Sequence, residues 1–132
     1  MEVAKLVASD AAAGDEFGYS VAIDGSTIVV GAYDHGGGFG YGSAYVFRES
    51  ATGTYDEVAK LTPADGPSYD GASDGQWGQN FGHAVAIDGG TVVVAARYDD
   101  DNGEYEGAVY VFRESAGTYA QVTKLTAADG AT

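Results

Sequence analysis

The residues best suited to chemistry are gathered in three short stretches. In the first, Asp99-Asp100-Asp101-Asn102-Gly103-Glu104-Tyr105-Glu106, acids and an amide surround a glycine, and clustered oxygens of this kind can wrap a hard cation such as Ca2+. Placing Gly103 at the sixth position of the pattern D-x-[DN]-x-[DN]-G puts Tyr98 at the first, so the register lacks one acid. Asp99, Asp100, Asp101, Asn102 and Glu104 are therefore candidate Ca2+ ligands, against the alternative of a solvated acidic loop, and the sequence requires no cofactor. The second stretch, Gly66 to Asn80, holds the single tryptophan. Tyr69, Asp74, Gln76 and Trp77 combine aromatic faces with polar groups, a mixture that stacks on and hydrogen-bonds a sugar when a rigid scaffold displays it. The competing assignment has Trp77 covering the end of a packed core. The third stretch, Asp34 to Gly42, is glycine-rich but matches neither G-x-G-x-x-G nor the Walker pattern, and reads as a connector.

Catalytic constellations are harder to assemble. His35 and His83 are the two histidines, and His83 lies in a strand-like run as a packing residue. Ser20 sits inside a predicted strand without the strand-to-helix elbow that exposes a nucleophilic serine. No two acids recur with the same partner in both halves of the chain, so the sequence points to a non-enzymatic protein.

The elements that would position these residues come from an internal repeat. Phe17-Gly18-Tyr19-Ser20-Val21-Ala22-Ile23-Asp24-Gly25 returns 64 residues later (17 to 81) as Phe81-Gly82-His83-Ala84-Val85-Ala86-Ile87-Asp88-Gly89. Tyr45-Val46-Phe47-Arg48-Glu49-Ser50 returns at Tyr110 to Ser115. A last element, Glu57 to Thr62, returns at Gln121 to Thr126 and also stands at the start as Glu2 to Val7, so it occurs three times where the others occur twice. Period-2 alternation of large and small residues predicts strands, Asp-Gly predicts a tight hairpin turn, and the Val-x-Lys-Leu element suits a charged outer edge. Helical periodicity is absent. The expected fold is all-β: four antiparallel strands per repeat, two repeats plus one extra outer strand. The expected divisions are 1–16 (extra strand and lead-in), 17–64 (first repeat) and 65–132 (second repeat).

The pairs Phe17-Gly18 and Phe81-Gly82, followed by Val29-Val30-Gly31-Ala32 and Val93-Val94-Ala95-Ala96, resemble the FG-GAP repeat of integrin α-subunit-like β-propellers. The resemblance implies propeller blades, a binding or adhesion role toward a protein or glycan, and an extracellular or cell-surface location. Members attached to hydrolases imply an accessory role as the alternative, and a purely structural self-assembling repeat is a third. Calcium-binding members carry an acidic loop between the two motif strands. Here only Asp24-Gly25 and Asp88-Gly89 stand there, too short for the roughly six to eight oxygens calcium takes. The proline of the motif is also missing.

Composition closes off other classes. A formal charge of −14 on 132 residues repels nucleic acid and anionic membrane surfaces. No apolar run approaches the roughly 20 residues of a membrane helix, and Met1 to Lys5 is not a secretory leader. The absence of cysteine excludes disulfides. Blades bury both faces against neighbours, so two repeats are expected to associate, either as a homo-oligomer of two-blade chains closing a ring of even blade number or as part of a longer propeller.

Overall fold

The computed structural model describes residues 2–9, 17–32, 42–63, 81–96 and 108–125. Eight strands occupy them: β1 (Phe17–Asp24), β2 (Thr27–Ala32), β3 (Ser43–Glu49), β4 (Tyr55–Leu61), β5 (Phe81–Asp88), β6 (Thr91–Ala96), β7 (Ala108–Ser115) and β8 (Thr118–Leu125). They form two four-stranded antiparallel sheets in simple meander order, β1-β2-β3-β4 and β5-β6-β7-β8. The all-β expectation and the four strands expected in each repeat hold.

Turn chemistry sets the registers. The β1–β2 corner lies one residue later than the Asp-Gly pattern suggests. Asp24 still pairs with Thr27, and the turn is Gly25-Ser26, with Gly25 at φ 59°. A positive φ at the first central residue alone is the mirror-image turn that matches strand twist. The β3–β4 connection spans Ser50 to Thr54, whereas β7–β8 closes on Ala116-Gly117 between the paired Ser115 and Thr118. Four residues separate Glu114 from its partner Tyr119 where five separate Glu49 from Tyr55, which brings the repeat offset back to 64 after a longer β6–β7 connection had raised it to 65.

Each sheet has a broad and a small face. On the broad face of the second sheet, Phe81 meets Tyr110 and Phe112 edge-on, with ring centroids 5.3 and 6.0 Å apart. Phe17 makes the same triad with Tyr45 and Phe47 in the first sheet, at 5.6 and 6.1 Å. The small face of the first sheet carries Val29, Gly31, Ala44, Val46 and Leu61. The broad face of the second sheet packs directly onto it, and Val29, Ala44, Val46 and Leu61 share one core with Phe81, Val92, Val94, Tyr110 and Phe112. The sheets are thus stacked broad face on small face, β5 lying against β1 and β2. This is how neighbouring blades of a propeller stack.

Phe81-Gly82 fixes the stack. Both Phe-Gly pairs open a bulge, because Phe81 pairs with Ala96 and the next partner is Ala84, opposite Ala95. The bulge lets the backbone at Gly82 (φ 97°) press on the first blade. A Cβ on Gly82 would overlap the Ser43 carbonyl, one on Gly31 would overlap the Gly82 carbonyl, and one on Gly42 would overlap that of Phe81. Gly42 and Phe81 form a parallel bridge between the blades. The bulge also corrects the simple alternation expected for β1: Tyr19 leaves the broad face and stays half exposed.

The extra outer strand expected at Glu2 to Val7 is not formed within this chain. Among the described strands, β3 and β7, which pair with the other two copies of this element, already have β4 and β8 as partners, and residues 2–8 belong to no ladder. They lie across the broad face of the first blade, where Leu6 packs against a core of Ala8, Val30, Ala32, Tyr45 and Phe47. The Ser9 amide and hydroxyl both donate to the Glu57 carboxylate, at 2.9 and 3.0 Å.

The two phenylalanines give a direct check. Phe81→Ala empties a fully buried site and is expected to cost about 3–5 kcal/mol in denaturant unfolding. Phe17→Ala, at the equivalent but only partly buried position, is expected to cost clearly less.

Candidate functional site

The strand order determines where the connections leave. In a meander, the end of β2, the start of β3, the end of β4 and the start of β5 share one edge, and so do the end of β6 and the start of β7. The Gly42–Phe81 bridge ties that edge together across the blades. The two-residue turns at Gly25-Ser26, Gly89-Gly90 and Ala116-Gly117 and the five-residue Ser50 to Thr54 turn close the opposite edge. Long connections therefore depart from one edge and short turns from the other.

Tyr69, Asp74, Gln76 and Trp77 belong to the connection between β4 and β5. Asp99, Asp100, Asp101, Asn102 and Glu104 belong to that between β6 and β7. Both groups lie outside the described residues, as does the glycine-rich stretch Asp34 to Tyr41. What is described is their anchorage: Leu61 and Phe81 flank the first connection, Ala96 and Ala108 the second, and all four are buried. Among the described residues no group of three His, Asp or Glu side chains is placed to hold a metal ion.

The polar sites that are described lie between the blades. At the short-turn edge, Arg48 donates through Nη1 to Glu114 Oε2 at 3.1 Å and through Nη2 to the Tyr119 hydroxyl at 2.7 Å. Its guanidinium lies 5.9 Å from the centre of the Tyr119 ring, within cation–π range. Burial pushes the Tyr119 phenol above its ordinary value, against the pull of Arg48, with Glu114 adding to the rise. Further in, the Ser20 hydroxyl donates to the Gly82 carbonyl at 3.0 Å and the Gly89 amide to Asp24 Oδ2 at 2.5 Å. Tyr19 and His83 occupy the same repeat position on neighbouring blades, and their rings stand 5.2 Å apart. His83 packs against its own counterpart, as its strand position suggested.

In the sequence, Arg48-Glu49-Ser50 and Arg113-Glu114-Ser115 read only as part of a strand. The signal was present, an Arg-Glu pair repeated at one strand end, but its partners come from neighbouring blades. Nothing in a linear pattern says that Arg48 of one repeat meets Glu114 of the next.

Stacked meander sheets with a Phe-Gly bulge at each inner strand define a β-propeller-type repeat protein. Residues 1–47 and 71–112, together more than half of the chain, match the family described as FG-GAP repeat, and the chain belongs to that family. No curated protein matches the sequence.

A double-mutant cycle over Arg48→Gln and Glu114→Gln is expected to give a coupling of about 0.5–1 kcal/mol, because the pair is only partly shielded from water. The coupling should shrink as salt is raised.

Proposed function

We propose that this chain is a non-enzymatic binding module that offers a protein or glycan ligand the long connections leaving one edge of its stacked blades. The observation that supports this most is the asymmetry of the two edges. The strand ends from which the tryptophan-bearing and the acidic connections depart share one edge, and binding residues concentrate on loops held by a rigid scaffold. Tyr69 and Trp77 would stack on a sugar ring or an apolar side chain, and Asp74 and Gln76 would hydrogen-bond its polar groups. Blade architecture by itself does not fix a ligand, so the role rests on these side chains.

Trp77→Ala separates contact from packing. Screened on a glycan array and against surface proteins, the variant is expected to lose at least about tenfold in affinity for whatever the parent chain retains, with an unchanged thermal midpoint. A fall in midpoint with binding intact would instead place Trp77 in the core.

The reading needs no metal. The corner where calcium-binding members have an acidic loop is here the two-residue turn Gly25-Ser26. Excess Ca2+ is therefore expected to leave the thermal midpoint unmoved. A saturable upward shift, abolished by Asp101→Asn, would show that Asp99 to Glu104 holds a cation.

A further inference from the structure

We propose that a second copy of this chain docks head to tail on the first, laying the broad face of its first blade on the small face of the other copy's second blade. The chain already contains the template for that junction. Inside one copy, the small face of blade 1 is sealed by blade 2, and its repeat counterparts in blade 2 are not sealed. Val29 and Val46 are fully buried, whereas Val93 and Val111 at the same positions are half-buried. Leu61 is 3% exposed and its counterpart Leu125 is 52% exposed. The mating surface is open as well: Val21 and Ile23 on the broad face of blade 1 are each 64% exposed, while their counterparts Val85 and Ile87 pack into the inter-blade core. A groove of about 430 Å³ on that face is bounded by Phe17, Val21, Ile23, Ile28, Val30 and Leu6.

The polar groups repeat in the same register. Arg48 grips Glu114 and Tyr119 across the internal junction. Its counterpart on the open small face is Arg113, and the counterparts of Glu114 and Tyr119 on the open broad face are Glu49 and Tyr55. Arg113 and Glu49 are both exposed in the single chain. Docking thus aligns Arg113 of one copy with Glu49 and Tyr55 of the next, opposite charges meeting where like charges would be rejected. Such a contact joins two different surfaces, so it repeats around a ring or along a filament, and with two blades per copy a ring of about four to eight blades closes at two, three or four copies.

Two differences keep this junction from copying the internal one. Ala84 replaces Ser20 and Ala95 replaces Gly31, which loses the hydroxyl that bonds the Gly82 carbonyl and adds a methyl where that carbonyl approaches. The inner strands of two copies must therefore stand farther apart than β1 and β5. The second difference is Leu6. It rests on the aromatic core of blade 1 as Leu61 rests on that of blade 2, so Leu125 of the docking copy has to take its seat. Residues 2–8 act as a strap that competes with the second copy.

Sedimentation equilibrium of the full 132-residue chain at physiological salt tests the proposal. Concentration-dependent association is expected, with Arg113→Glu and Glu49→Arg each weakening it about tenfold, the double reversal restoring it, and Leu6→Ala strengthening it. Both charged positions are exposed, so the reversals leave the fold intact, which thermal unfolding checks. A 13.5 kDa species at all concentrations, association unaffected by the single reversals, or a double reversal no better than either single would each overturn the proposal. Weaker association of Leu6→Ala would overturn the competing strap.

Discussion

Everything in this molecule hangs on the close approach of Phe81-Gly82 to the backbone of the first blade. Phe81 fills the core between the sheets, and Gly82, lacking a Cβ, lets its own carbonyl reach the space that Gly31 leaves empty. Three glycines in contact form a seam where backbone packs on backbone, and a methyl group at any one of them would force the blades apart. The Phe-Gly pair is therefore one device with two parts, an aromatic wedge and a gap for the wedge to enter.

That seam gives the stack a direction. The aromatic triad faces one way in both blades, so each blade has a broad side that inserts and a small side that receives. Equivalent residues then have unequal environments: the small side of the first blade is dry, and that of the second is open. On the outer sides Val21, Ile23 and Leu125 stay exposed, where their counterparts Val85, Ile87 and Leu61 are covered between the blades. The inter-blade polar contacts follow the same direction and contribute alignment more than strength, since they are half-exposed.

Much of the fold was legible in the sequence because a repeat states each strand twice. Strand order, the two-residue turn and the charged outer strand could be read from Asp24-Gly25, Tyr45-Val46-Phe47 and Lys60-Leu61. Three features could not. The turn falls at Gly25-Ser26 because Asp24 still pairs with Thr27; a period-2 count has no term for a bulge and sets Tyr19 on the same face as Phe17; and Glu2 to Val7 looks like a strand because it copies one, although a strand needs a partner. The Arg48 clasp was invisible for the same reason, since its partners lie on the next blade. Of the candidate ligand-binding residues, the sequence identifies the side chains and the strand ends identify only their common edge.

The direct test of blade stacking is a nuclear Overhauser experiment on dilute, isotope-labelled chain, read at the inner strands. Cross-peaks between the rings of Tyr19 and His83, which stand 5.2 Å apart, together with peaks from the Phe81 ring to the methyls of Ala44 or Val46, are expected if the broad face of the second blade lies on the small face of the first. Phe81 cross-peaks confined to its own sheet, with none reaching the first blade, would contradict the stacking of the two blades.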